Sequence, residues 1–454
     1  MSKLKLLIIL SCFLGVSNLS SEAIATDVLP QTRLPLAKIK PIKSHSKIRV
    51  KIFPHPKPYP PHGRDQDPTT IKTSSTASCK LYPGTRGRVG REKKLLSQKK
   101  QYSFSAAGLQ NPLWLNCSKP VTVIRGPNEP HFTYSGDLYL HSVVKNGKPV
   151  LEVINQVSLA EYLLGVVPSE VYPKWPEEAL KTQAVAARTY AVFHLGQVRA
   201  KKKNRLWDVD DTIAFQAYTG LTLRSKRTDA AVEKTRGQIL THDADVIQAY
   251  YHADSGGQTE DAINVWNQDI PYVQGRKETF EAAQGSSYWE KEISKKDLSH
   301  GLRRMGYLQK SERIEQISVP VAGRTNSGRV RVISLKLGPD KYRNITVEVF
   351  KRASIRLPST LFAFKKKHSS KDGDKIHIEG FGFGHGVGMS QQGAAWLAEE
   401  KGWNYSQILR YYYSDTDLCS LQTKNNHSNL PDCYKVASLQ KKAEDASAAT
   451  ASHP

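Results

Sequence analysis

Residues 158–190 read SLAEYLLGVVPSEVYPKWPEEALKTQAVAARTY, and this stretch decides the fold around it. Ser158, followed three residues later by Glu161, is a capping box, which predicts that a helix begins here. Pro168 predicts the end of that helix, because proline lacks an amide proton and restricts the residue before it. A second helix is predicted to open at Pro176, with two glutamates in its first turn.

Glu170 lies in the short turn between these predicted helices. An acid held among apolar residues at a helix junction can stay protonated near neutral pH, as a general acid must. The second helix carries a predicted buried stripe of Leu180, Ala184, Ala187 and Ala191. A glutamate near a helix start is more often a cap or a solvated surface residue, so the local sequence leaves both interpretations of Glu170 open.

The first 25 residues resemble a secretory signal peptide, with two early lysines, an apolar run over residues 6–14 and the small-x-small motif Ala23-Ile24-Ala25. An alternative is a lipoprotein signal acylated at Cys12. No later stretch reaches the roughly 18 apolar residues of a membrane span. We therefore expect an exported protein, periplasmic or associated with the cell wall, without a transmembrane segment in the mature chain.

Four cysteines remain after removal of the signal: Cys79, Cys117, Cys419 and Cys433. An even number in an exported chain predicts disulfides, and three pairings are possible. The local choice joins Cys79 to Cys117 and Cys419 to Cys433. None of the four has the spacing of a metal ligand.

The net charge of +24 is concentrated near the N-terminus, where residues 26–100 hold 18 lysines and arginines against four acids. Such an excess predicts an anionic partner or a solvated linker. Because export argues against nucleic acid, an anionic wall polymer and a simple spacer stay open as explanations.

The chain is predicted to be α+β, because helices and strands mix without strict alternation. Residues 26–109 form a predicted disordered, basic, proline-rich arm that includes the run PHPKPYPP at 54–61. Residues 110–420 are predicted to form a two-lobed domain of mixed sheet and helices with a substrate groove. Residues 421–454 are predicted to be a polar, disordered tail.

Three more local signals fall within the predicted domain. Residues 138–157 are typical of a β-hairpin around Asn146-Gly147. Strand-like pieces include Ile345–Val349. Two short helices are predicted near its end, at residues 391–400 and 406–412.

A glycine-rich loop over residues 380–394 leads into the first of these helices. Its spacing matches neither a dinucleotide fingerprint nor a phosphate loop with its lysine, so nucleotide binding is not expected. His385 lies at its centre, Ser390 is a candidate helix cap, and Gln391 follows. Alternating glycines of this kind can serve ligand approach or be purely architectural.

A polar turn, YHADSGGQTE, occupies residues 251–260. It could bind a sugar or position a loop. His252 and Asp254 could ligate a metal, but two candidates do not make a site. Ser255 lacks the small-x-Ser-x-Gly elbow of a serine hydrolase.

These segments together resemble the stage II sporulation protein D family, which includes proteins called amidase enhancers. Five matching motifs in family order, across roughly residues 110–420, make the resemblance specific. They are Leu163–Glu170, Ala184–Tyr190, Ser255–Gly257, Gly384–Gln391 and Tyr412-Tyr413.

The resemblance implies a lytic transglycosylase of peptidoglycan. Such an enzyme cuts the β-1,4 bond between N-acetylmuramic acid and N-acetylglucosamine and leaves a 1,6-anhydro sugar, because an internal hydroxyl attacks instead of water. One carboxyl then suffices as acid and base. The family's acid maps onto Glu170 and its second important residue onto Arg188, which could grip a sugar carboxylate or orient Glu170.

The resemblance also implies the remaining site residues and partners. The expected substrate is a glycan strand already stripped of stem peptides, and no cofactor is expected. An alternative is a non-catalytic wall-binding protein that enhances an N-acetylmuramoyl-L-alanine amidase, for which a buried acid at position 170 would have no use. The expected substrate-binding residues are Tyr190, His252, Ser255, His385, Ser390 and Gln391.

One departure from the family concerns metal binding. Some members carry a Cys-Asp-Thr-Thr-His-Cys motif that resembles a zinc site. The corresponding stretch here, Asp210–Phe215, lacks both cysteines and the histidine. We therefore predict no metal there.

Overall fold

The fold consists of two compact units. One holds the described residues up to Ala249 together with those from Asp415 onward, and the other holds Tyr250–Ser414. In its described part the chain has no helix long and apolar enough to cross a membrane. The predicted signal peptide and Cys12 lie outside the described residues. The computed structural model describes residues 33–35, 42, 46–52, 68–84, 90–91, 94–124, 131–200, 205–213, 215–278, 287–365, 374–421 and 432–433.

Across these ranges both helices and strands occur throughout, which confirms the α+β class. The strands are β1 (Arg33–Pro35), β2 (Lys47–Ile52), β3 (Thr70–Ser75), β4 (Cys79–Pro83), β5 (Lys94–Leu96), β6 (Tyr102–Ser105), β7 (Leu113–Cys117), β8 (Val121–Ile124), β9 (Phe132–Tyr134), β10 (Asp137–Lys145), β11 (Lys148–Ser158), β12 (Val209–Asp210), β13 (Gln238–His242), β14 (Asp245–Ile247), β15 (Tyr251–His252), β16 (Trp289–Ser294), β17 (Gln316–Ser318), β18 (Val332–Gly338), β19 (Lys341–Thr346), β20 (Phe362–Lys365), β21 (Lys375–Gly380), β22 (Met389–Ser390) and β23 (Asp417–Ser420). The helices are α1 (Leu159–Glu170), α2 (Glu177–Ala200), α3 (Lys226–Lys234), α4 (Ala262–Trp266), α5 (Lys295–Arg304), α6 (Val347–Ala353), α7 (Gln391–Glu400) and α8 (Tyr405–Tyr412), with a 3₁₀ turn at Val321–Gly323.

The first unit packs helices α1 to α3 against three sheets. Its largest sheet has the strand order β12-β2-β11-β10-β7-β4-β5, and two four-stranded sheets run β6-β3-β8-β9 and β1-β14-β13-β23. One hydrophobic core joins the inner faces of these sheets to α1 and to the predicted stripe of α2, whose members are all buried.

The expected disordered arm over residues 26–109 is wrong for the part that the structure describes. Lys47–Ile52 pairs with β11 on one side and β12 on the other, and its residues Ile48, Val50 and Ile52 are fully buried. Alternating apolar and basic residues give this strand one core-facing side. Cutting at residue 110 would therefore remove interior strands of the unit, while the proline-rich run at 54–61 lies outside the described residues.

The predicted hairpin is confirmed, since β10 and β11 pair antiparallel from Asp137↔Gln156 to Lys145↔Lys148. Its turn residues Asn146 and Gly147 have φ of 50° and 75°. Two successive positive φ angles are what an Asn-Gly two-residue hairpin turn requires.

We expect Gly147→Ala to lower the free energy of unfolding by about 1–2 kcal/mol, because alanine is strained at positive φ. A Cβ at this position would meet no atom within 4 Å, so backbone strain alone accounts for the effect. Gly147→Asn should lose less, since asparagine tolerates this conformation. Denaturant unfolding measures both variants, and an unchanged midpoint for the alanine variant would contradict the turn assignment.

The local disulfide pairing is confirmed. Cys79 and Cys117 face each other across β4 and β7, and Cys419 of β23 bonds to Cys433. The expected disordered tail over 421–454 is wrong at residues 432–433. Asp432 forms an isolated parallel β-bridge with Ser420, and Cys433 is buried.

The second unit contains helices α4 to α8 and three small sheets, with orders β15-β22, β16-β21-β20 and β17-β18-β19. The two short helices predicted near residues 391–400 and 406–412 are confirmed as α7 and α8. The strand expected at Ile345–Val349 is partly wrong, because β19 ends at Thr346. Thr346 caps α6 by accepting a hydrogen bond from the Val349 amide at 3.3 Å.

Candidate active site

Glu170 is the last residue of α1 and not part of a separate turn. The predicted capping box starts the helix, with Ser158 accepting from the Glu161 amide at 3.2 Å. Pro168 does not end the helix as expected. The Val171 amide donates to the Val167 carbonyl at 3.1 Å and so closes one more turn around the proline. A proline inside a helix removes its own amide hydrogen bond and crowds the carbonyl four residues earlier, but here the helix continues past it to Glu170.

The Glu170 carboxyl is buried, with 6% of the residue exposed. The Ala217 amide donates to its Oε1 at 2.6 Å and so holds the side chain in one direction. The segment that carries Ala217 lies against α1 because Gly165 has no side chain. A Cβ there would come within 2.3 Å of the Gly220 carbonyl oxygen. The helix and this segment together therefore build the pocket of the acid.

Glu170 contributes to the raised pKa values of two tyrosines in the same unit. Burial first, and then nearby acids including Glu170, raise the pKa values of Tyr162 and Tyr190 well above the usual value. Both hydroxyls therefore stay neutral. Tyr190, a predicted substrate-binding residue, is 8% exposed. It lies within the electrostatic reach of Glu170 but offers little surface to a ligand.

Sequence reasoning missed His194, one helical turn after Tyr190. Its ring packs on Tyr190 with centroids 4.3 Å apart and meets Phe215 edge-on at 5.3 Å. Burial among these rings lowers the pKa of His194 to about 4, so the imidazole is neutral at physiological pH. The i, i+4 spacing of the two residues on α2 was the available signal.

Arg188 is bound to backbone and side-chain acceptors of its own unit. Its guanidinium is buried and donates to the carbonyls of Val232 and Gln238, at 3.0 and 3.1 Å, and to the Thr235 hydroxyl at 3.4 Å. These acceptors lie at the C-terminal end of α3 and at the start of β13. These contacts give Arg188 a role in holding α3 and β13 to α2, and its expected role toward a sugar carboxylate or Glu170 stays a prediction.

Asp210 and Phe215 both make contacts within the protein. The Asp210 carboxylate accepts from the Thr212 amide and hydroxyl at 2.9 and 2.5 Å. Phe215 packs its ring against His194 and Trp207. Throughout the described ranges, no three or more histidines, cysteines or acids stand in a metal-binding group.

Ser255 belongs to a buried polar network in the second unit. Its hydroxyl donates to Glu278 Oε2, and the Tyr412 hydroxyl donates to Glu278 Oε1 at 2.5 Å. Ser255 is fully buried, so its hydroxyl is not presented to solvent. Burial raises the pKa of Glu278 to about 7 although both hydroxyls favour the ionised form.

Two buried charges that sequence reasoning missed fix this polar turn. Glu260 Oε2 accepts hydrogen bonds from the hydroxyls of Thr325 and Ser327, both at 2.6 Å. Arg329 donates to the Ser255 carbonyl at 2.7 Å. The turn is therefore anchored by charge-assisted hydrogen bonds, which are stronger than neutral ones.

Three of the remaining predicted site residues of this unit form hydrogen bonds to backbone groups. His252 is buried and shares a 3.2 Å hydrogen bond with the Val387 carbonyl. His385 Nδ1 accepts from the Val387 amide at 3.0 Å, and burial lowers the pKa of His385 to about 3. Ser390 caps α7 by accepting from the Gly393 amide at 3.1 Å, and Gln391 is 2% exposed.

The carboxyls of Glu278 and Asp254 give the second unit a predicted pH dependence. Burial raises their pKa values to about 7 and about 6, from 4.5 and 3.8, with Arg329 opposing the shift of Asp254. Folding then binds protons, so the stability they contribute is complete at low pH and lost as pH rises toward 7. The buried His252 and His385 of the same unit act in the opposite direction, because burial lowers their pKa values and stability is lost as pH falls below about 6.5. We therefore expect Glu278 to shift the difference between the melting temperatures at about pH 5 and at about pH 8 in favour of pH 5.

Glu278→Gln should remove that shift, so that its melting temperature falls relative to the native protein more at about pH 5 than at about pH 8. Glutamine does not titrate and can still accept one of the two hydroxyl hydrogen bonds. Calorimetry of both proteins across this pH range measures the effect. An identical pH dependence in the glutamine variant would show that Glu278 is not the group responsible.

Comparison with known proteins supports the interpretation of these segments. Residues 148–242 match a family described as Stage II sporulation protein, and residues 260–388 match a domain of unknown function. An uncharacterized protein of Brachyspira hyodysenteriae is 34% identical over 283 residues, which cover 62% of this chain and 72% of the relative.

Two relatives from Bacillus subtilis carry functional names. The amidase enhancer is 32% identical over 298 residues, 57% of this chain and 40% of its own length. Stage II sporulation protein D is 32% identical over 288 residues, 60% of this chain and 78% of its own length. The chain therefore belongs to the stage II sporulation protein D family.

Proposed function

We propose that the protein is a peptidoglycan lytic transglycosylase with Glu170 as its acid and base. The observation that carries this proposal is a buried carboxyl at the end of α1, held in one direction by the Ala217 amide. A carboxyl fixed in this way can be aimed at a glycosidic oxygen, which is the first requirement of general acid catalysis.

The proposed reaction needs no second carboxylate and no water. Glu170 gives its proton to the oxygen that leaves carbon 1 of N-acetylmuramic acid, and the C1–O bond breaks. The hydroxyl on carbon 6 of the same sugar then attacks carbon 1 and passes its proton to the Glu170 carboxylate. A C1–O6 bond forms, the acid is regenerated, and the product is a 1,6-anhydro sugar.

The proposed substrate is a peptidoglycan glycan strand without stem peptides, and the proposed location of the protein is the periplasm or the cell wall. The +24 net charge suits an anionic wall polymer. A location outside the cytoplasm is supported by the predicted signal sequence and by two disulfides among the described residues, because disulfides are typical of exported proteins.

A second candidate function is enhancement of an amidase without glycan cleavage. One relative, 32% identical, is named an amidase enhancer. In that case the protein would bind the wall and bring an N-acetylmuramoyl-L-alanine amidase to it.

Purified protein incubated with intact and with amidase-treated peptidoglycan separates these functions. Mass spectrometry of the products should show 1,6-anhydro ends, with more of them from the amidase-treated material. Reducing ends would indicate a hydrolase. No cleavage, together with faster peptide release by an added amidase, would support the enhancer role.

A further inference from the structure

Tyr288 and Phe381 form an exposed aromatic pair on the second unit. They are 44% and 37% exposed, and their ring centroids lie 5.4 Å apart with the planes inclined at 60°. We propose that this pair is a platform for a neutral N-acetylhexosamine residue of the glycan strand. The proposal rests on the proposed function only in that the protein must bind peptidoglycan glycan.

The sheet fixes the position of both rings. In the antiparallel pair of β16 and β21, Trp289 lies opposite Gly380. Tyr288 and Phe381 are therefore cross-strand neighbours just beyond the last pair, where side chains on one face approach each other closely. The Phe381 amide donates to the Leu361 carbonyl at 2.9 Å.

The Phe381 carbonyl is held as well, because it accepts from the Ser359 hydroxyl at 2.5 Å. A ring on such a fixed backbone loses little conformational entropy when a ligand covers it. The apolar face of a pyranose ring can cover an aromatic ring and remove apolar surface from water. Contiguous exposed apolar surface that is rimmed by polar residues marks ligand-binding grooves among other interaction sites.

Polar groups at the edge of the pair match the hydroxyls of a sugar. The Tyr288 hydroxyl donates to Glu290 Oε1 at 2.5 Å and lies 3.2 Å from Glu379 Oε2. The Lys365 ammonium contacts the same two carboxylates at 3.0 and 2.9 Å. Carboxylates accept up to four hydrogen bonds, so this cluster can also accept from ligand hydroxyl or amide groups.

The charge of this edge predicts which sugar it takes. Two carboxylates and one ammonium leave a net negative charge, which repels the lactyl carboxylate of N-acetylmuramic acid. N-acetylglucosamine carries no charge and meets no such repulsion. Charge therefore supplies discrimination against the wrong sugar of the alternating strand.

Chitotetraose, a neutral oligomer of N-acetylglucosamine, is the probe for the platform. In the full chain, Tyr288→Ala and Phe381→Ala should each weaken its binding about tenfold, as removal of an aromatic contact residue commonly does. Tyr288→Phe keeps the ring and should retain most of the affinity. Tyr342→Ala is the matched control, since Tyr342 is 63% exposed elsewhere on this unit.

Calorimetric titration gives the affinities, and thermal unfolding checks that each variant is folded. N-acetylglucosamine should displace chitotetraose better than N-acetylmuramic acid does, and the reverse order would overturn the charge argument. Failure of the unchanged protein to bind chitotetraose, or wild-type affinity in both alanine variants, would overturn the platform.

Cleavage of peptide-free glycan, measured on the same proteins, separates this proposal from the proposed function. Chitotetraose binding that depends on both rings in a protein that releases no anhydro sugar would support the platform and reject the transglycosylase. Anhydro release with ring-independent binding would do the reverse.

Discussion

Glu170→Gln should abolish detectable glycan cleavage, with a loss of about 10²–10⁴ in rate, because glutamine has no proton to give to the leaving oxygen. The amide oxygen of glutamine can still accept from the Ala217 amide, which donates to Oε1 at 2.6 Å in the native protein. We therefore expect unchanged folding and unchanged binding to sacculi. Release of 1,6-anhydro sugars, followed by mass spectrometry, measures the loss.

Glu161→Gln is the matched control on the same helix. Glu161 completes the capping box, and glutamine is accepted at that position as well as glutamate. This variant should keep its activity. Equal activity of the Glu170 and Glu161 variants would show that the buried carboxyl is structural and would refute the proposed mechanism.

Arg188→Ala should destabilise the first unit by roughly 2–4 kcal/mol, since each buried acceptor left without a donor costs about 1–3 kcal/mol. The carbonyls of Val232 and Gln238 would lose the guanidinium that joins them. Burial already lowers the pKa of Arg188 to about 9, so part of the loss is offset when the charge is removed. Thermal unfolding of the variant measures the net effect.

Arg188→Lys should restore only part of this stability, because one ammonium nitrogen cannot span acceptors that two guanidinium nitrogens share. A role in positioning predicts that activity falls in step with the folded fraction. If both variants kept the native melting temperature while cleavage fell sharply, Arg188 would have a direct catalytic role instead.

Signals that depend on near neighbours were readable from the sequence. The capping box at Ser158, the Asn146-Gly147 turn and the local disulfides each involve residues close in sequence or facing residues of adjacent strands. Lys47–Ile52 also alternates strictly between basic and apolar residues, as a half-buried strand does. The proline and lysine content around this strand is typical of a disordered arm and obscures a pattern of only six residues.

The surroundings of the candidate site were not readable in this way. The donor to Glu170 is the amide of Ala217, 47 positions away, and Arg188 meets acceptors 44 to 50 positions away. Backbone amides and carbonyls leave no trace in residue type. A motif can therefore identify Glu170 and Arg188 without showing their partners. Glu170 accepts a hydrogen bond from a backbone amide, whereas Arg188 donates to backbone carbonyls.

The return of the chain to its first unit has a consequence for the order of events during synthesis. Tyr250–Ser414 is one continuous segment, so the chain completes it before it reaches the last strand of the first unit. The first unit cannot finish then, because β13 still lacks β23, its outer neighbour at Asp417–Ser420. Until that strand arrives, β13 presents an unpaired edge to other chains. A chaperone would therefore be most useful to this protein after β13 has been synthesised and before residues 417–420 have followed.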